Sequence, residues 1–170
     1  MEEKIIKLGK DERLKLKIYT EYGEYTGNDL IFDLEDIELP LKYQELAEKD
    51  KKNKEWLRNQ FAIIKKKEDH KGNKMMSSNQ ELEFKALESF FKKEEEIYNM
   101  FLGENGVKKL LNGKKLGWTS LENIDKLIEE QILPYLNISW ENIEDKIKRK
   151  YEEAKNKNNT LEMPKIKDEK

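Results

Sequence analysis

Residues 30–46 read LIFDLEDIELPLKYQEL, and the fold turns on a change of rhythm inside them. Up to Glu35 the apolar side chains alternate, with Leu30, Phe32 and Leu34 on one side and Asp33 and Glu35 on the other, the period of a half-buried strand. Past Pro40 the spacing lengthens to three and four, through Tyr43, Leu46 and Ala47, the period of a helix face. Pro40 marks the junction, because a first helical turn accepts a residue without an N–H.

Upstream, RLKLKIYT at 13–20 alternates in the same way, with Leu14, Leu16 and Ile18 opposed to Arg13, Lys15 and Lys17. Gly23 and Gly27 in the intervening EYGEYTGN supply a connection, so the two segments predict a hairpin. KIIKL at 4–8 reads as a third strand, which would support a hairpin that is marginal on two strands alone.

Downstream, a long helix is expected from Leu41 to about Lys66, with packed ends and a solvated middle over the wholly polar stretch Glu48–Glu55. A lysine-rich connection follows. Ser78 and Glu81 have the spacing of a capping box opening a second helix to about Leu102, the richest in aromatic residues and the expected centre of the core. Thr119 and Glu122 suggest a further box before Ile124, Leu127, Ile128 and Ile132, and Pro134 is expected to break that helix. A last helix is expected from near Ser139, with Trp140, Ile143, Ile147 and Tyr151 on one row. The class is therefore α+β, a small antiparallel N-terminal sheet followed by a mainly helical bundle. Residues 1–38 form the sheet, 39–154 the bundle and 155–170 a charged tail, as parts of one compact domain.

Composition narrows the function. The 170 residues carry 34 basic and 36 acidic side chains, a balance without the footprint of a nucleic-acid or anionic-membrane binder. The absence of cysteine removes thiol catalysis and cysteine-based zinc sites, and one histidine, His70, cannot build a histidine metal site. No apolar run reaches signal-peptide or membrane-spanning length, so a cytoplasmic protein is expected.

The glycine-rich FLGENGVKKLLNGKKLGW at 101–118 invites a phosphate-loop reading, but Gly106 and Gly113 are too far apart and Gly113-Lys114 is followed by lysine, not a hydroxyl residue. It reads instead as punctuation, with Gly103 a left-handed helix stop and Gly113 ending a short turn through Val107, Leu110 and Leu111. Glu94, Glu95 and Glu96 fan around a helix and read as a solvated face. Asp33, Glu35, Asp36 and Glu38 lack a calcium-loop glycine, and Ser77 and Ser78 lie in no nucleophile elbow. The basic clusters Lys65–Lys67 and Lys146–Lys150 carry no nucleic-acid motif. No catalytic, cofactor or metal residue is assigned. Trp56, Phe91, Tyr98, Phe101, Trp118 and Trp140 are the candidates for partner binding, because large aromatic side chains dominate interaction hot spots as well as cores.

The succession IFDLEDIELPLKYQEL, then ELEFKALESFFKKEEEIYNMFLGENGVKKLLNG, then SLENIDKLIEEQI resembles the small tail assembly chaperones of tailed phages and prophages of Gram-positive bacteria, over residues 28–150. The resemblance rests on an aromatic-rich helix ending in FLGENG, a short basic turn and Gly113. It implies a non-enzymatic, cofactor-free assembly factor in the bacterial host cytoplasm. Its partner would be the tape-measure protein, with the major tail protein as a second candidate; self-association into a homo-oligomer is left open. No site residue transfers, since the family has no catalytic motif. A phage-encoded regulatory or host-inhibitory protein-binding module is the alternative that shares this size and charge.

Overall fold

The computed structural model describes residues 13–159. The predicted strand at 4–8 and the end of the predicted tail, 160–170, lie outside the described residues.

β1 (Arg13–Tyr19) and β2 (Tyr25–Asp33) pair antiparallel, with Leu14 opposite Phe32 and Leu16 opposite Leu30. Residues directly opposite share a face, so this register gathers the alternating apolar side chains on one side, where Ile18, Leu30 and Phe32 are buried. Lys15 on the other face pairs with Asp29 at 2.9 Å. The register slips between Lys17 and Tyr19, opposite Gly27 at φ +81°. There the Thr26 hydroxyl donates to the Ile18 carbonyl at 3.0 Å, standing in for an interrupted ladder.

α1 (Leu39–Lys65) carries Pro40 in its first turn, at the predicted change of period. Its start is set by Asp36, whose Oδ1 accepts the Glu38 N–H at 2.9 Å and whose Oδ2 meets Lys42 Nζ at 3.3 Å. α2 (Ser78–Leu102) returns antiparallel: Tyr43 meets Phe101, Lys49 meets Met100 and Asn53 meets Glu94, positions rising along α1 as they fall along α2. The cap of α2 is Ser77, one residue before the predicted Ser78. Ser77 Oγ accepts the Gln80 N–H at 3.2 Å and Gln80 Oε1 accepts the Ser77 N–H at 3.0 Å. Ser78 is occupied elsewhere, accepting the His70 N–H and donating to Asp69, and so ties down the preceding connection.

α3 (Gly106–Leu110) is the short basic turn, and α4 (Trp118–Leu127) opens at Gly117, where Ser120 Oγ accepts the Gly117 N–H at 2.8 Å. The predicted box at Thr119 and Glu122 is thus displaced by two residues. Pro134 does not break the next helix. The chain passes from α4 through a π-helical turn, Ile128–Ile132, straight into α5 (Leu133–Asn159), which starts six residues before the predicted Ser139. Pro134 falls where the wide turn has already changed the hydrogen-bond pattern that a proline would disrupt. α5 also extends five residues into the expected tail, and its Ile147 and Tyr151, predicted to lie on a packed row, are 62% and 69% exposed.

One core runs through all of this. Phe101 at the end of α2 joins the layers, with its ring 5.6 Å from Phe32 of the hairpin and 5.5 Å from Tyr43 of α1. Ile97 and Leu102 on α2, Val107 on α3 and Leu121, Ile124, Ile128, Ile132 and Leu136 along the last rod complete it. Among the described residues no helix is long and apolar enough to cross a membrane.

Candidate functional site

The FLGENG stretch sets the position of α3. Gly103 has φ 90° and ψ 177°, a positive φ as expected but with extended ψ, so it ends α2 outside the left-handed helical region. The left-handed residue is Asn105, with φ 56° and ψ 22°, a residue type that tolerates this conformation. Asn99 Oδ1 then accepts the Val107 N–H at 2.9 Å, and the chain turns back so that Val107 enters the core while Leu110 and Leu111 stay half-buried. Asn112 at φ 49° and Gly113 at φ +79° close the turn, with the Gly113 N–H bonded to the Lys108 carbonyl at 3.1 Å.

Around Leu110 lie three adjoining concavities. The largest, about 570 Å3, runs between β1 and the last rod over Leu16, Ile18, Leu30, Leu110 and Leu127. A second, about 370 Å3, continues between α3 and α4 over Leu110, Leu111, Ile124 and Leu127. A third, about 280 Å3, reaches the hairpin tip over Tyr19, Tyr22, Leu110 and Leu111. Leu16, Leu110, Leu111 and Leu127 line these concavities together with polar residues such as Thr26, Asn112, Asn123 and Gln131 and the charged Lys17, Lys114, Lys126, Glu21 and Glu130. Such a surface offers shape and apolar area to another chain.

A second feature lies where α1, α2 and α4 meet. In the middle of α1, expected to be solvated, Glu48, Lys51, Lys52 and Glu55 are exposed, but Asn53 is buried and its amide donates to Glu94 Oε1 at 2.6 Å and to the Phe90 carbonyl at 3.2 Å. Glu94, which in sequence reads as part of a solvated face, has no exposed surface. Burial, together with the Asp50 carboxylate beside it, pushes the Glu94 carboxyl up to about 7, against the opposing pull of Asn53 and Lys54. Lys54 lies 2.8 Å and 2.9 Å from the two Asp50 oxygens. Burial works against the Lys54 charge, but the Asp50 bond and attraction outweigh it and the lysine pKa is raised. Tyr98 donates its phenol proton to Asp125, and burial followed by that bond raises its pKa. Asp50, Lys54, Tyr98 and Asp125 line a cleft of about 260 Å3 together with Tyr43 and Glu129. Among the described residues no group of His, Cys, Asp and Glu is arranged to hold a metal ion.

The six aromatic candidates divide. Tyr98 and Phe101 are 1% and 3% exposed and belong to the core, so they present nothing to a partner. Phe91 and Trp118 come together at 5.1 Å, both also against buried Phe90, and Trp118 remains 47% exposed. Trp56 is 39% exposed on α1. Trp140 packs half-buried against the core, its indole N–H buried without a hydrogen-bond partner among the described residues. The aliphatic groove residues Leu16, Leu110, Leu111 and Leu127 carry no sequence signal for binding, because a groove leucine and a core leucine follow the same period. The pairing of Asn53 with Glu94 spans 41 positions and has no local signal either.

The chain matches no protein-family model, and neither characterised proteins nor solved structures yield a significant match.

Proposed function

We propose that this chain is a protein-binding assembly factor of the phage tail-chaperone kind, which holds an apolar helical segment of a tape-measure protein in the bacterial cytoplasm until tail assembly. The observation that supports the reading is the set of three adjoining concavities around Leu110, between the hairpin, α3 and α4, with Leu16, Leu110, Leu111 and Leu127 in their walls. A helix laid in a groove contributes apolar anchors three and four residues apart, and leucine side chains set among polar ones are the surface such anchors fit. The half-exposed Phe91–Trp118 pair supplies a second apolar contact of the kind that dominates interaction energies.

The test is co-expression with the longest tape-measure-like reading frame from the same genome. Complex formation and a rise in the partner's solubility are expected, and Leu110→Asp with Leu127→Asp should abolish both while helicity measured by circular dichroism persists. A partner equally soluble with and without this chain, and no complex on affinity purification, would overturn the proposal. Recovery of a host regulatory protein through the same groove would move the regulatory module ahead of it.

A further inference from the structure

Glu94 lies at the centre of the α1/α2 seam, with no exposed surface and with one oxygen, Oε1, bonded to Asn53. Among the described residues no donor reaches its other oxygen, Oε2. On the facing helix the Asp50 Oδ1 is likewise buried without a hydrogen-bond partner among the described residues, although Lys54 Nζ lies 2.8 Å from it, so each carboxyl turns an unbonded oxygen into the seam. Two carboxylates are acceptors only, so they cohere only when one of them holds a proton. We propose that a single proton shared between Glu94 and Asp50 latches α1 to α2, and that removing it loosens this seam and the cleft beside it.

The surroundings leave the latch little other compensation. From α1 come Asp50, Lys54 and the neutral Asn53; from α4, Asp125; from the π-helical turn, Glu129; and from α2 itself, Tyr98. Lys54 is the one cation in this set and is already held by Asp50, while Tyr98 gives its proton to Asp125. A second negative charge at Glu94 would therefore be buried among carboxylates. Such a charge is stabilised only by opening the seam to water. The device does not depend on the groove or on the identity of any partner.

The sign follows from the raised carboxyl. Folded Glu94 titrates at about 7 against an ordinary 4.5, so the folded state binds the extra proton and is favoured at low pH. That contribution is complete below the ordinary value and is lost as pH rises through about 7.

The experiment follows urea unfolding of the wild type, Glu94→Gln and Asp50→Asn from pH 5 to pH 8.5, with the Glu94 carboxyl carbon read by NMR across the same range. Relative to Glu94→Gln, which carries the same titrating background without this proton, the wild-type folding equilibrium constant should fall on the order of 100-fold. Asp50→Asn should move the Glu94 titration toward acid by removing the like charge. Parallel pH profiles for wild type and Glu94→Gln, or a Glu94 carboxyl that titrates in the ordinary range, would overturn the proposal. If Glu94→Gln does not fold, the NMR titrations of wild type and Asp50→Asn still decide it.

Discussion

Replacing Gly106 by alanine tests the packing that fixes α3, and with it one wall of the groove. An ideal Cβ on Gly106 falls 2.5 Å from Leu102 Cβ, whereas carbon atoms prefer about 3.5–4.0 Å. The neighbour is the first carbon of a buried side chain on α2, so it cannot rotate away, and α3 must shift by about 1 Å to restore contact. That shift would work against the Val107 N–H bond to Asn99 and the burial of Val107 itself, which is 1% exposed. Overpacking of this kind costs about 1–3 kcal/mol, and the closeness of the contact places Gly106→Ala toward the upper end. Gly106 does not have positive φ, so the cost is steric and not conformational. Leu102→Ala retains the Cβ, so the double variant should be no more stable than Leu102→Ala alone. Urea denaturation monitored by circular dichroism reads the loss. A Gly106→Ala protein within about 0.5 kcal/mol of wild type would refute the reasoning, since that is the range of a surface change.

Gly103→Val should cost about 1–3 kcal/mol by the opposite mechanism, because nothing lies within 4 Å of where a Cβ would stand but the backbone is confined to glycine-like angles; urea midpoints would show it. Tyr98→Phe removes the donor to Asp125 at a site 1% exposed and should destabilise by about 1.5–3 kcal/mol, measured in the same way. Ile132→Ala, in a fully buried position, should cost about 2–5 kcal/mol, while Ile147→Ala, 62% exposed, should stay within about 0.5 kcal/mol; thermal or urea unfolding of the pair distinguishes a packed rod from a projecting one.

The parts legible in sequence are those governed by local period. The alternation of Leu14, Leu16 and Ile18 against Leu30, Phe32 and Leu34 marks the hairpin, and Pro40 marks the start of α1, because both depend on neighbours within a few residues. Cap positions are within reach but off by one or two, since Ser77 and Ser78 can each accept an N–H and only the tertiary bonds of Ser78 to His70 and Asp69 decide between them. The Asn53–Glu94 pair is not legible. Its meaning depends on how two long helices are aligned, and three successive glutamates look alike until one of them faces a helix. The groove is hidden for a related reason: Leu110 and Leu127 are apolar whether they fill the core or wall a cleft.

The π-helical turn has a consequence for the angular phase of the last rod. In a regular α-helix a four-residue step overshoots a full circle by about 40°, so the three steps from Ile124 through Ile128 and Ile132 to Leu136 would carry the stripe about 120° round. All four are nonetheless buried, at 3%, 2%, 0% and 0% exposure. The wide turn unwinds the helix just enough to bring the stripe back, acting as a vernier between α4 and α5. Segment length is therefore a tighter constraint here than side-chain identity. Deleting one residue between Ile128 and Ile132 would let the turn close into regular α-helix and keep Leu136 in phase, whereas inserting one would turn everything downstream by about 100°, swinging Leu136 and Trp140 off the core together.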